Sequence, residues 1–371
     1  MNFEDRKIRI GWFKSKSMGT WHVAIKDWEG ELCSCAGYLF NRKCWHVDTI
    51  NMKSFDDRQV VDMPVVKIDE LLLKHKEYKS SLEALNKLFN GMAYSTSEIF
   101  ALYGLPNIGK TLLGTQEAFW FANQGVNVLY IDTEGSFITA LKTWKDRFMK
   151  RFQRKGEIYA VSYLNLEDLM RFLGYNIDIN LRGNKVEVSS DLIKGNSEFE
   201  EFIKNNNIGF VVLDSVSAPI RNKFPSAQQN FPARADITSM IYAGLLRAQA
   251  YGVVILTIHH ATLNPANPYE IHAEVRGGIV VQYYSKRIVY MDMREKKGME
   301  HIRRFWLVRS PNARSWSRVE FARVDGELGF IDEENKSEYL TDAEKKNIEE
   351  NLVKDLIDDE RDDIRSRKRR I

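Results

Sequence analysis

The stretch Ile99-Phe-Ala-Leu-Tyr-Gly104-Leu-Pro-Asn-Ile-Gly109-Lys110-Thr111 decides the fold. Its first five residues are apolar without alternation, the pattern of a strand buried on both faces. From Gly104 it spells G-x-x-x-x-G-K-[ST], and over 111–123 the apolar period becomes helical. A glycine turn between strand and helix lets main-chain N–H groups face one concavity. The helix N-terminus adds its positive end, and the two together bind phosphate oxygens. Gly104, Leu105, Pro106, Asn107, Ile108, Gly109, Lys110, Thr111 and Leu112 are therefore the candidate nucleotide-binding residues. In this motif the lysine, here Lys110, holds the β- and γ-phosphates of a nucleotide. The hydroxyl, here Thr111, ligates Mg2+.

Outward from this stretch the alternation of strand and helix repeats. VNVLYID (126–132), IYAVSY (158–163), IGFVVLD (208–214) and GVVILTI (252–258) read as further strands. Helical periods at 138–152, 165–173, 197–205 and 235–250 lie between them. The expected fold class is α/β, a parallel sheet with helices on both faces. From 286 to 331 strands follow one another without helices, which predicts an antiparallel extension of the same sheet. Ligands in such sheets sit at the carboxyl ends of the strands. There Asp214 is the candidate second anchor for Mg2+. Glu134, just past the strand that ends in Asp132, is the candidate base for an attacking water. Asp132 is read as a helix N-cap.

The chain has 371 residues, 44% hydrophobic and 28% charged, with a net charge of +3. At roughly 100–200 residues per domain this predicts two or three globular domains. The near-neutral balance does not announce a nucleic-acid binder, so any basic surface must be local. No apolar run approaches the roughly 20 residues of a membrane span, and the charged N-terminus is no secretory signal. A cytoplasmic protein is expected. Residues 1–56 are read as a small domain, 57–80 as a linker, 81–333 as the core and 334–371 as a charged helix with a basic tail. Trp21 to Ile25 reads as a strand, and 175–189 as a hairpin about Gly183-Asn184. Thr341-Asp-Ala-Glu344 spells a capping box.

All three cysteines fall between 33 and 44. Cys33, Cys35, Cys44 and His46 form a complete tetrahedral Zn2+ set with no position left open, so the site is expected to be structural. The spacing C-x-C-x8-C-x-H and the flanking tryptophans resemble the SWIM zinc finger.

Residues 80–331 resemble the RecA/RadA family of recombinases. SSLEALNKLFNGMAYSTSEIFALYGLPNIGKT is similar to the start of the archaeal RadA core, and IDTEGSF to the family's segment at the catalytic glutamate. VVLDSVSAPIR resembles the second nucleotide motif running into a first DNA-binding loop. Gly277-Gly278 resembles the segment after a second loop, and Ser310-Pro311-Asn312 the cap over a neighbouring subunit's nucleotide. The resemblance implies a RecA-like core with mobile loops at 217–235 and 261–279. Arg221, Lys223, Arg234 and Arg276 are then candidates for DNA phosphate, single strands before duplex. It implies a homo-oligomer or a partner recombinase. Departures from the family are also present. His259, beside His260, stands where the family's switch residue is usually Gln, and Arg309 stands where RadA carries Asp before the cap. An Arg there can serve in trans as a finger on the γ-phosphate. The Phe-x-x-Ala tether of family filaments is missing from the linker. Three functions follow: an ATP-dependent DNA-binding recombination or repair protein, a weakly hydrolysing accessory of a partner recombinase, or a helicase-type motor. A signalling ATPase of the KaiC kind has no support from the cysteine cluster or the basic tail.

Overall fold

The computed structural model describes residues 9–14, 21–26, 31–33, 47, 75–163, 165–182, 185–193, 195–224, 231–262, 274–293, 298–334 and 337–352. The chain divides into two units, Met1–Leu73 and Lys74–Ile371. In the first, β1 (Arg9–Lys14), β2 (Trp21–Lys26) and β3 (Glu31–Cys33) form an antiparallel sheet in that order. The run from Trp21 is a strand as read, and Cys33 pairs with Ala24 at the end of β3. Cys35, Cys44 and His46 lie outside the described residues, so the expected zinc set is not tested there.

The second unit begins with β4 (Glu77–Tyr78), α1 (Glu83–Leu88) and β5 (Tyr94–Ser95). Its core follows as β6 (Ile99–Gly104), α2 (Lys110–Asn123), β7 (Asn127–Asp132), α3 (Ser136–Arg151), β8 (Ile158–Ser162) and α4 (Leu166–Phe172). Next come β9 (Tyr175–Arg182), β10 (Lys185–Leu192), α5 (Glu198–Asn205), β11 (Ile208–Asp214), α6 (Ser217–Lys223), α7 (Phe231–Gln249) and β12 (Val254–Thr262). The last elements are β13 (Glu274–Val275), α8 (Gly278–Tyr284), β14 (Ser285–Asp292), β15 (Ile302–Arg309), β16 (Val319–Asp325) and β17 (Gly329–Asp332).

The main sheet runs β17-β16-β15-β14-β6-β12-β11-β7-β8, with β13 on the end of β12. From β14 to β8 every neighbouring pair is parallel. The absence of alternation in these strands has its expected cause. Ile99, Ala101 and Tyr103 enter one core, with Ile241 and Leu245 of α7 above them. Phe100 and Leu102 enter the other, beneath Leu113 and Phe121 of α2. Phe121 and Phe210 stack at 3.9 Å, fixing the phosphate-loop helix on the sheet.

Two expectations change. The antiparallel extension forms over β14 to β17 as expected, but its first strand is shared with the parallel sheet, because β14 also runs parallel to β6. The reason is α8, spelled GIVVQYY, which carries the chain back across the sheet before β14 starts. Its β-branched and aromatic residues hide a helix from propensity. The stretch 217–235, read as a loop, holds α6 and the first turn of α7.

The hairpin is present, with Val186 opposite Leu181 and Val188 opposite Ile179. Residues 75–80, read as linker, are bound into the second unit. Ser80 Oγ donates to the buried Glu117 of α2 at 2.8 Å, and Arg287 bridges Glu77 and Glu98. The capping box also forms: Thr341 N and Oγ1 donate to Glu344 Oε2 at 2.7 and 2.9 Å. Glu344 Oε1 accepts from the buried Arg304, which also holds Asp292 in a two-pronged pair. Among the described residues no helix is long and apolar enough to cross a membrane.

Candidate nucleotide site

Strand β6 delivers Gly104 to the carboxyl edge of the sheet, level with His260 of β12 and Met291 of β14. A Cβ on Gly104 would lie 2.2 Å from the Met291 carbonyl oxygen, so only glycine lets the chain leave the sheet here. Asn107 and Gly109 then take φ of 63° and 99°, left-handed values that curl the loop. Lys110 starts α2 and folds back: its Nζ donates to the carbonyls of Gly104 and Leu105 at 3.0 and 2.7 Å. Burial lowers the Lys110 ammonium to about 8, against the pull of Asp214 and Glu134. A cradle that a Cβ would fill, a helix N-terminus and a half-desolvated lysine together fit a nucleoside triphosphate. The hydroxyl of Thr111 and the carboxylate of Asp214 are a hard-oxygen pair of the kind Mg2+ takes.

Asp214 ends β11 and is fully buried. Burial raises its carboxyl to about 6, opposed by the hydroxyls of Thr111 and Tyr130. Tyr130 donates to Asp214 Oδ2 at 2.8 Å and is held in place by stacking on Phe137 at 3.8 Å. Asp132 is not the N-cap it was expected to be: Gly135 takes that position in α3, and Asp132 binds the same helix end from three residues upstream. Its Oδ1 accepts from the N–H groups of Glu134, Gly135 and Ser136, and its Oδ2 from that of Phe137. This spends Asp132 on aiming the start of α3 and leaves Glu134 at the sheet edge. Glu134 Oε1 accepts from Ser215 Oγ at 2.8 Å and meets His260 Nε2 at 2.7 Å. The His260 contact holds the Glu134 carboxyl down at about 2, with burial opposing and Ser215 and Arg221 assisting.

The two histidines divide between the faces of β12. His259 turns toward α7, fully buried, with Nε2 2.8 Å from the Tyr242 hydroxyl. Burial drops it to about 3, so it is neutral. It does not reach Glu134; His260, which the sequence offered only as a neighbour, does. A one-residue step along a strand exchanges the faces, and no residue type announces which face is which. Ser215 and Tyr130 were missed for a similar reason, since a hydroxyl becomes legible only when its partner is known. Arg309 pairs across from Ile288, level with Ala101 and below the loop end of the sheet. Among the described residues no hydrogen bond or ion pair joins it to the loop.

Three of the four expected basic residues come together. Arg221, Arg234 and Arg276 line one cavity of about 400 Å3 with Ser217, Thr238 and Gly277. Among the described residues, the Ser217 Oγ and Arg234 Nε are buried there without a hydrogen-bond partner. Burial lowers Arg234 and Arg276, and the neighbouring guanidiniums lower them further. Lys223 is elsewhere, paired with Glu167 of α4. The cavity adjoins the nucleotide site through β12: the Arg276 N–H donates to the His260 carbonyl at 2.9 Å.

The chain is similar to known proteins. Two DNA repair and recombination proteins RadB of Methanococcus maripaludis, from strains C5 and S2, are 23% and 22% identical over 258 residues. Each alignment covers 68% of this chain and 99% of the relative. A crystal structure of the RadB recombinase superposes with a TM-score of 0.48 at 18% identity, over 69% of this chain and 99% of that one. The model of the AAA domain family matches residues 66–265. That is more than half of the chain, so the chain belongs to the AAA domain family.

Proposed function

We propose that this protein is a Mg2+-dependent ATPase that binds DNA and acts in recombination or repair. One observation carries the reading: a phosphate cradle with Lys110 meets two carboxylates from neighbouring strand ends at one edge of one sheet. When ATP binds, Lys110 exchanges two loop carbonyls for β- and γ-phosphate oxygens. Thr111 and Asp214 would hold Mg2+, which supplies charge neutralisation on the phosphates. Glu134, oriented by Ser215, takes the proton of the attacking water. The relatives named for DNA repair and recombination support the second half of the proposal, and the arginine cavity offers a desolvated place for backbone phosphate. Measuring ATP turnover with and without single-stranded DNA, with electron microscopy of the same sample, tests it. Turnover that DNA leaves unchanged, without assemblies on DNA, would refute the DNA half.

A second reading, a slowly hydrolysing accessory of a partner recombinase, is favoured by Glu134 itself. A carboxylate held at about 2 is a weak base. ATP binding without DNA-stimulated hydrolysis, together with a stable complex with a recombinase, would select it. Two finer assignments belong to the same reading. One Zn2+ on Cys33, Cys35, Cys44 and His46 would order the first unit, and elemental analysis finding well under one zinc per chain removes it. Arg309 would act on a neighbour's nucleotide. Mixing Arg309→Ala with Lys110→Ala should then restore partial ATPase, and no recovery in co-assembled protein excludes it.

A further inference from the structure

Arg303 and Arg304 are consecutive on β15 and face opposite ways. Arg304 is a buried cation with buried counter-charges, Asp292 and Glu344. Arg303 is equally buried, at 9% exposure, and has no carboxylate within ion-pair distance among the described residues. Burial alone acts on its guanidinium, lowering it. Its hydrogen bonds end on main-chain carbonyls: Nε donates to Ile108 at 2.7 Å, and Nη1 to Glu300 and Ile302 at 2.6 and 3.1 Å. Among the described residues its charge is therefore uncompensated, and a desolvated cation without a partner charge weakens a fold rather than strengthening it. The position therefore calls for a purpose other than stability.

The Ile108 carbonyl supplies one. It belongs to the phosphate loop, in the peptide unit that also carries the Gly109 N–H. Across a trans peptide the C=O and N–H point in opposite directions. A bond that draws the Ile108 oxygen toward β15 turns the Gly109 N–H away from β15, toward the concavity of the loop. Gly109, with φ of 99°, has no side chain to keep that peptide from flipping. We propose that Arg303 is a positioning residue of the nucleotide site: it locks the 108–109 peptide with its N–H facing the phosphates, and the bound phosphates provide a counter-charge that no described residue gives Arg303. This rests on the nucleotide reading above.

The test uses the full-length protein with Arg303→Met and Arg303→Lys. Melting without nucleotide and titration with Mg-ATP are measured for both, alongside kcat and KM. Arg303→Met should melt at or above the wild-type temperature, because a desolvated charge is gone. It should bind Mg-ATP about tenfold more weakly, the loss of one charge-assisted hydrogen bond's worth of order. The loss should appear in KM, with kcat within about twofold. Arg303→Lys should recover part of the affinity, since an ammonium can reach one carbonyl but cannot fork. Folded Arg303→Met with wild-type affinity overturns the proposal, as does a lower melting temperature with unchanged affinity. If Arg303→Met does not fold, wild-type affinity in Arg303→Lys overturns it instead. Lys110→Ala separates the two readings. A wild type that binds no better than Lys110→Ala defeats the nucleotide site and Arg303 together, whereas a binding wild type matched by Arg303→Met defeats Arg303 alone.

Discussion

Lys110 bonded to its own loop and Glu134 bonded to Ser215 and His260 are separable in their work. Lys110→Ala should lose nucleotide binding in a titration with labelled ATP. Glu134→Gln keeps the shape and hydrogen bonds, so it should bind ATP normally and hydrolyse it on the order of 10²-fold more slowly. Wild-type turnover in that variant would move the base to another group. The free protein also sets a pH window. Asp214 must be ionised to take Mg2+, and burial raises it to about 6, so activity falls as pH drops through that value. Lys110 must be protonated to hold phosphate, and burial lowers it to about 8, so activity falls as pH rises through that value. The profile of kcat/KM should be bell-shaped with limbs near these two values. A flat profile from pH 5 to 9 would contradict both assignments.

At the scale of elements, β6 and its loop depend on one missing side chain. Gly104→Ala would set a methyl group against the main-chain oxygen of Met291, which cannot swing aside. β6 and β14 must then separate at the loop end. The expected cost is about 1–3 kcal/mol in urea unfolding, with weaker ATP binding. An unchanged unfolding midpoint would show that the edge yields freely. These strands were legible in the sequence because burial on both faces erases alternation, and the loop because its spacing is a geometric requirement. The direction of β14 was not legible, because α8 is written in strand-forming residues and tertiary packing decided its conformation. α6 was hidden by Pro219 and Asn222 within a stretch that read as a loop. The exchange of His259 for His260 is a matter of register, which belongs to the whole sheet and to no single residue.

At the scale of the molecule, three arginines from separate segments bring positive charge together. Arg221, Arg234 and Arg276 line one cavity. If that cavity takes DNA phosphate, affinity should fall with salt at about −0.7 logarithmic units per contact on single strands. Replacing Arg221 and Arg234 together should flatten the slope by about 1–2 units in a fluorescence titration. An unchanged slope would assign DNA binding to another surface. Strand β12 ends between this cavity and the phosphate loop. Through one residue, His260, its side chain touches Glu134 and its carbonyl holds the Arg276 amide. A rigid strand end shared in this way is a two-port element. Thermodynamic linkage then demands symmetry: the factor by which an anion in the cavity changes ATP affinity is the factor by which ATP changes the affinity for that anion. A single measured coupling, taken from either side, therefore fixes the other.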